Sequence, residues 1–159
     1  MSDRKTFFVT SPIFYPNAQP HMGHAYTTLL CDVLTRYHRT VLNQETYFLT
    51  GTDEHAEKIV KAAQAQGQEP GAYLETIVER FKDLYEKLDI RYDQFIRTSD
   101  QEVHWPGAIE MWNRLHNAGK LEKREYVGLY CVGCEAFKTE KELVDGLCPD
   151  HGIAPEKVS

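Results

Sequence analysis

Hydrophobic and polar positions alternate in recognisable periods over the first 119 residues and lose them afterwards. Lys5-Thr6-Phe7-Phe8-Val9-Thr10 is rich in aromatic and β-branched residues and predicts a strand. Pro12, Pro16 and Pro20 then forbid a helix. From Met22 the apolar residues Tyr26, Leu29, Leu30, Val33, Leu34 and Tyr37 follow at three-to-four spacing, which predicts a helix buried on that stripe. Thr46–Thr50 predicts a second strand ending at Gly51, and a helix is expected from about Glu54 to Gln66, closed by Gly67. Pro70 suits the first turn of a further helix, with Leu74, Ile77, Val78, Phe81, Leu84 and Leu88 as its apolar stripe. Gln94–Arg97 predicts a third strand, and a last helix runs to Gly119, starting or kinking at Pro106. Strands alternating with helices argue for an α/β fold with a parallel sheet and crossover helices. Beyond Gly119 only short extended pieces remain, so a domain boundary is expected near Lys120.

Composition narrows the class. The 159 residues are 42% hydrophobic and 26% charged, values of an ordinary globular chain that exclude disordered and collagen-like classes. A formal charge of −6 gives no global basic field for nucleic acid, so such contacts would need a local patch. No apolar run approaches the roughly 18 residues of a membrane span, and Phe7-Phe8-Val9 is too short for a signal peptide. A cytosolic location is the expectation. Cys131, Cys134 and Cys148 lie within the last 29 residues, followed by His151; in a reducing compartment such a cluster points to metal rather than disulfides. Cys31 stands apart and reads as a packed small hydrophobe.

Three constellations carry chemistry. His21-Met22-Gly23-His24 sits where the first strand hands over to the first helix. A helix N-terminus offers unpaired N–H groups to a phosphate, both histidines can donate to its oxygens, and Gly23 lets a base or ribose approach the backbone. The same pair can also be ordinary capping or surface histidines. Thr50-Gly51-Thr52-Asp53-Glu54-His55 closes the second strand at the same sheet edge. Asp53 can hold a cationic group such as an ammonium, with His55 nearby, or it can simply cap the next helix; the residues leave both open. In Cys131-x2-Cys134-x13-Cys148-x2-His151, two pairs at x2 spacing suit a tetrahedral zinc ion, and Gly133 and Pro149 supply the tight turns. Four protein ligands leave no open position, so the ion would be structural.

Together these segments resemble methionyl-tRNA synthetases, a family of class I aminoacyl-tRNA synthetases. Phe8-Val9-Thr10-Ser11-Pro12-Ile13-Phe14-Tyr15-Pro16-Asn17-Ala18-Gln19-Pro20-His21-Met22-Gly23-His24, the Thr50–His55 segment, Phe95-Ile96-Arg97-Thr98 and Glu125–Cys131 are all family-like, and the resemblance spans nearly the whole chain. It implies the first half of a Rossmann-like nucleotide-binding catalytic domain over 1–119, and over 120–159 the start of a connective-peptide insertion of the bacterial single-knuckle type. The implied reaction is attack of the methionine carboxylate on the α-phosphate of ATP, with pyrophosphate leaving alongside Mg²⁺, then transfer of the methionyl group to the 3′ end of tRNA(Met). By position, His21 and His24 would be the catalytic phosphate contacts, Gly23 would pack on the adenosine, Asp53 would hold the methionine ammonium, Ile13 and Tyr15 would line the methionine pocket, and Cys131, Cys134, Cys148 and His151 would bind Zn²⁺. Ala56 stands where the family usually has glycine, and His104-Trp105-Pro106 is unusual for its helix. No Lys-Met-Ser-Lys-Ser-type loop occurs, and the family's C-terminal half is missing. The expectation is therefore a fragment with little activity alone, whose exposed apolar faces await that half. A small nucleotidylyltransferase of the His-x-Gly-His type and a non-catalytic tRNA- or partner-binding homologue are the alternatives.

Overall fold

A computed structural model describes residues 5–158. The chain divides into two compact units, Met1–Ile109 and Glu110–Ser159.

The first unit carries β1 (Thr6–Phe14), α1 (Met22–Thr40), β2 (Glu45–Thr52), α2 (Glu57–Ala65), α3 (Pro70–Lys87) and β3 (Gln94–Arg97). The strands form a parallel sheet in the order β1-β2-β3, joined by helical crossovers as the alternation requires. β1 runs farther than its aromatic stretch suggested. It continues through Ser11 and Pro12 by a register shift between Thr10 and Ile13, a place where a proline without an N–H is tolerated. The Ser11 hydroxyl meets the Thr50 hydroxyl at 2.7 Å there. Phe48, Ile59, Ala63, Ile77, Phe81 and Tyr85 build the core between β2, α2 and α3.

α1 corrects the expectation from its apolar stripe. Its buried residues are Ala25, Thr28, Cys31, Asp32 and Thr35, whereas Met22 is 82% exposed, Tyr26 70% and Val33 52%; Leu29, Leu30, Leu34 and Tyr37 are exposed as well. Small and hydroxyl-bearing residues let the helix lie close on the sheet, and the hydroxyls are satisfied locally: Thr28 and Thr35 donate to the carbonyls of His24 and Cys31. Asp32 is buried because Arg36 and the Arg91 N–H hold its two oxygens, at 2.6 and 2.9 Å. Periodicity marked a face that gains from burial, but that face has no cover among the described residues. Cys31 is buried, with its thiol pushed up by desolvation, as expected of an inert packed residue.

α2 starts at Glu57 rather than near Glu54; its N-cap is Ala56, which makes no side-chain cap bond. α3 begins at Pro70 behind a Glu69 cap, and its buried face adds Tyr73 and Tyr85 to Ile77, Val78 and Phe81, while Leu88 is exposed. α4 (Trp105–Asn117) starts at the Trp105-Pro106 pair and runs across the division between the units.

In the second unit, β4 (Gly128–Cys131), β5 (Ala136–Lys138) and β6 (Glu156–Val158) form an antiparallel sheet in the order β5-β4-β6, with a 3₁₀ turn at Glu140–Glu142. Its buried apolar residues are Cys131 and Cys148. No described helix is long and apolar enough to cross a membrane.

Candidate active site and metal centre

β1 ends at Phe14, and the chain reaches α1 through a proline-bounded loop that delivers His21 to the N-cap position. Both histidines then close a reciprocal cap. His21 Nδ1 accepts the Gly23 N–H at 3.0 Å, and His24 Nδ1 accepts the His21 N–H at 3.1 Å. The capping and phosphate-binding roles therefore do not compete. A ring nitrogen that accepts carries no proton, so each neutral imidazole keeps its proton on Nε2, free to donate. The rings stack at 3.8 Å, and Gly23 is needed beside them, since a β-carbon there would lie 2.9 Å from His21 Cε1.

Burial, and then the neighbouring His21, hold the His24 pKa below its ordinary 6.5. A base depressed in the folded state binds fewer protons than in the unfolded chain. Its contribution is therefore intact above 6.5 and is lost as the pH falls through that value toward the folded pKa. Thermal melts should show a lower midpoint at acid pH than at neutral pH, with a smaller difference in His24→Gln. An identical pH response in the variant would rule this out.

Phe14 links this constellation to the second. Its ring packs edge-on against His24 at 4.5 Å, and its carbonyl accepts the Asp53 N–H at 3.0 Å. Asp53 follows β2 directly and lies outside the α2 cap, so the capping alternative is ruled out for it. Glu54, which sequence reasoning left unassigned, is buried and accepts from Thr52, Arg97 and Ser99. A buried carboxylate needs such partners, but they lie up to 45 residues away, where no local pattern records them. His55 Nε2 lies 3.2 Å from the Thr98 carbonyl, which also accepts the Trp105 indole N–H at 3.1 Å. That bond explains Trp105, and Pro106 falls in the first helical turn, where no N–H is required. Ile13 near the end of β1 and Tyr15 just beyond it are 40% and 36% exposed, and Lys58 sits 4.3 Å over the Tyr15 ring. Ala56 is 8% exposed and packs in the core cluster.

The knuckle residues converge. One ligand atom from each of Cys131, Cys134, Cys148 and His151 lies within 4.8 Å of all the others. Cys134 Sγ is 3.5 Å from Cys148 Sγ and 3.3 Å from His151 Nδ1, and Cys148 Sγ is 3.8 Å from that nitrogen. Tetrahedral bonds of about 2.3 Å to sulfur imply edges of about 3.8 Å, so the donor set fits a four-coordinate ion. The hydrogen bond with His151 holds the Cys148 thiol down, while burial and then the hydrogen bond with Cys148 push the Cys134 thiol up, so negative charge settles first on Cys148. Gly133 is required by contact: a β-carbon there would fall 2.5 Å from His151 Cγ. Gly133→Ala should displace the imidazole and weaken metal binding by at least about tenfold, the usual scale for disturbing a ligand's support. Competition against a chromophoric chelator measures this, and an unchanged affinity would remove the steric argument.

A family model described as tRNA synthetases class I (M) matches residues 7–157. The chain is 45% identical to the methionine–tRNA ligase of Caldanaerobacter subterraneus subsp. tengcongensis over 156 residues, covering 98% of this chain and 24% of that protein. It is 46% identical to the methionine–tRNA ligase of Streptomyces coelicolor, covering 92% of this chain and 29% of the relative. Its fold superposes on Mycobacterium tuberculosis methionyl-tRNA synthetase in complex with methionyl-adenylate with a TM-score of 0.89 at 39% identity, over 97% of this chain and 31% of that one. The chain thus spans about a quarter of the length of the first of these relatives.

Proposed function

Because the chain belongs to the class I tRNA synthetases of the methionine type, we propose that it supplies the ATP- and methionine-binding half of a methionine–tRNA ligase active site. Residues 1–119 form the first half of the Rossmann-like catalytic domain, and 120–159 the start of the insertion. The observation that carries this reading is the histidine cap, which engages Nδ1 of both rings and leaves both Nε2–H groups as donors at a helix N-terminus beside the Asp53 loop.

When the methionine carboxylate attacks the α-phosphate of ATP, negative charge grows on the phosphate oxygens. Two fixed donors and the helix N-terminus stabilise that charge without reorganising. Gly23 leaves room for the adenosine, and Asp53 holds the ammonium so that the carboxylate faces phosphorus. Ile13 and Tyr15 receive the unbranched thioether, an adaptable apolar group that favours aromatic contact. Pyrophosphate leaves with Mg²⁺, and the adenylate is the donor for the 3′ end of tRNA(Met). Cys131, Cys134, Cys148 and His151 hold a structural Zn²⁺, which contributes folding energy to the second unit and no chemistry.

The exposed stripe of α1 and the outer edge of β1, unpaired among the described residues, are the faces on which the remainder of such an enzyme would pack. Much of the binding energy expressed in the transition state lies there, so the 159-residue chain alone should give negligible exchange. The test replaces the corresponding quarter of the Caldanaerobacter enzyme with this chain and measures ATP–pyrophosphate exchange. Exchange should depend on methionine and not on leucine, and His21→Ala should lower it roughly 100- to 1000-fold, as loss of one such donor does. Full exchange in His21→Ala, or none with any amino acid, would refute the assignment.

A further inference from the structure

Glu54 is buried between the less buried Asp53 and His55. Its Oε1 accepts from the Thr52 hydroxyl at 2.6 Å and from Arg97 Nε at 2.8 Å, and its Oε2 accepts from the Ser99 hydroxyl. Arg97 is tied in turn to Glu75 of α3 through both terminal nitrogens, at 2.9 and 2.6 Å, the two-pronged geometry that fixes a guanidinium plane. The end of β3 is thereby fastened to α3 and to the loop after β2.

Thr98 closes the other side. It is 8% exposed, and its hydroxyl accepts the Glu54 N–H at 2.7 Å. A hydroxyl carries one proton, and with the Glu54 N–H already on the oxygen, that of Thr98 is donated to Asp53 Oδ1 at 3.4 Å. The Thr98 carbonyl is held by Trp105 and faces His55. One residue thus meets the Asp53 carboxylate, the Glu54 backbone and the His55 ring from 43 to 45 positions farther along the chain.

We propose that Thr98, anchored through the Glu54–Arg97–Glu75 network, is the positioning residue that aims the Asp53 carboxylate and so sets recognition of the substrate ammonium. This rests on the assignment of Asp53 to that ammonium. The Asp53 side chain, just past the end of β2, is otherwise free to rotate about its own bonds; a donor on one oxygen leaves the other directed at the ligand.

The experiment titrates the isotopically labelled 159-residue chain by NMR with L-methionine and with its hydroxy-acid analogue, in which a hydroxyl replaces the ammonium. The parent should prefer methionine, and Asp53→Asn should abolish the preference. Thr98→Val, which keeps the shape and removes the proton, should reduce it about tenfold, the scale of one hydrogen bond to a charged group, and Thr98→Ser should restore it. Hydrogen exchange at the Glu54 amide should follow the same order. Trp105→Phe removes the indole N–H that holds the Thr98 carbonyl, together with part of the ring facing His55, and leaves the Thr98 hydroxyl in place; it is the second variant and should lower the preference about threefold, less than loss of the hydroxyl itself. A parent chain without preference overturns the Asp53 assignment and the aiming role with it. A preference lost in Asp53→Asn but intact in Thr98→Val, or in Trp105→Phe where Thr98→Val does not fold, overturns the aiming role alone.

Discussion

Stripping metal from the chain with a strong chelator is expected to dissolve the β4–β5–β6 sheet. The three strands are four, three and three residues long, and the unit's only buried apolar side chains among the described residues are the ligands Cys131 and Cys148. Short strands without a hydrophobic face are marginal in water. Bound zinc supplies roughly 10–16 kcal/mol to peptides of this size, far more than three strands of this length can gain from pairing. The core of the other unit, around Phe48, Phe81 and Tyr85, contains no metal ligand. Amide signals from 128–158 should therefore collapse toward random-coil positions on chelation and return with one equivalent of zinc, while those of β1, β2 and β3 persist. Cys148→Ser should reproduce the collapse without chelator. Retention of dispersed 128–158 signals in metal-free protein would show that the donor set is not what holds this unit.

The convergence of the four Cys and His donors was legible because each pair is local: two residues between donors fit a tight turn, and only one long-range closure remained to be guessed. The place of His21 and His24 at the start of α1 was legible, but the way they pair was not. Spacing of three residues suited a reciprocal cap as well as a phosphate grip, and the fold uses one nitrogen of each ring for the cap and leaves the other for a ligand. The α1 stripe misled for a general reason. Apolar period reports which face gains from burial, not which face meets the sheet, and here small residues and threonines made the closer contact. Asp32, Glu54 and Arg97 were invisible for a different reason. A buried charge is tolerated only with its partners: those of Glu54 and Arg97 stand 43 and 22 residues away, and Asp32, though paired with Arg36 one turn on, needs the Arg91 N–H 59 residues away for its second oxygen.

Gly51→Ala is expected to cost the first unit about 3 kcal/mol or more, at or above the upper range for inserting one methyl into a packed site. Gly51 lies in β2, paired with Ile13 of β1 and Ile96 of β3. A β-carbon built on it would fall 1.9 Å from the Ile96 carbonyl oxygen and 2.7 Å from Ile96 Cγ2. The nearer obstacle is backbone, which cannot step aside without parting β2 from β3. Relief would move the segment two residues before Asp53, so the same substitution displaces the Asp53 carboxylate and the Glu54 anchor. For a unit of this size the melting midpoint should fall by roughly 12–24 °C. Gly107→Ala is the matched control: its β-carbon meets nothing within 4 Å, and it lies inside α4. Alanine there should stabilise by about 0.5–1 kcal/mol through helix propensity. Equal midpoints for the two variants would show that the strand contact at Gly51 relaxes freely, and the shape of the Asp53 loop would then have to be fixed by the Arg97 network alone.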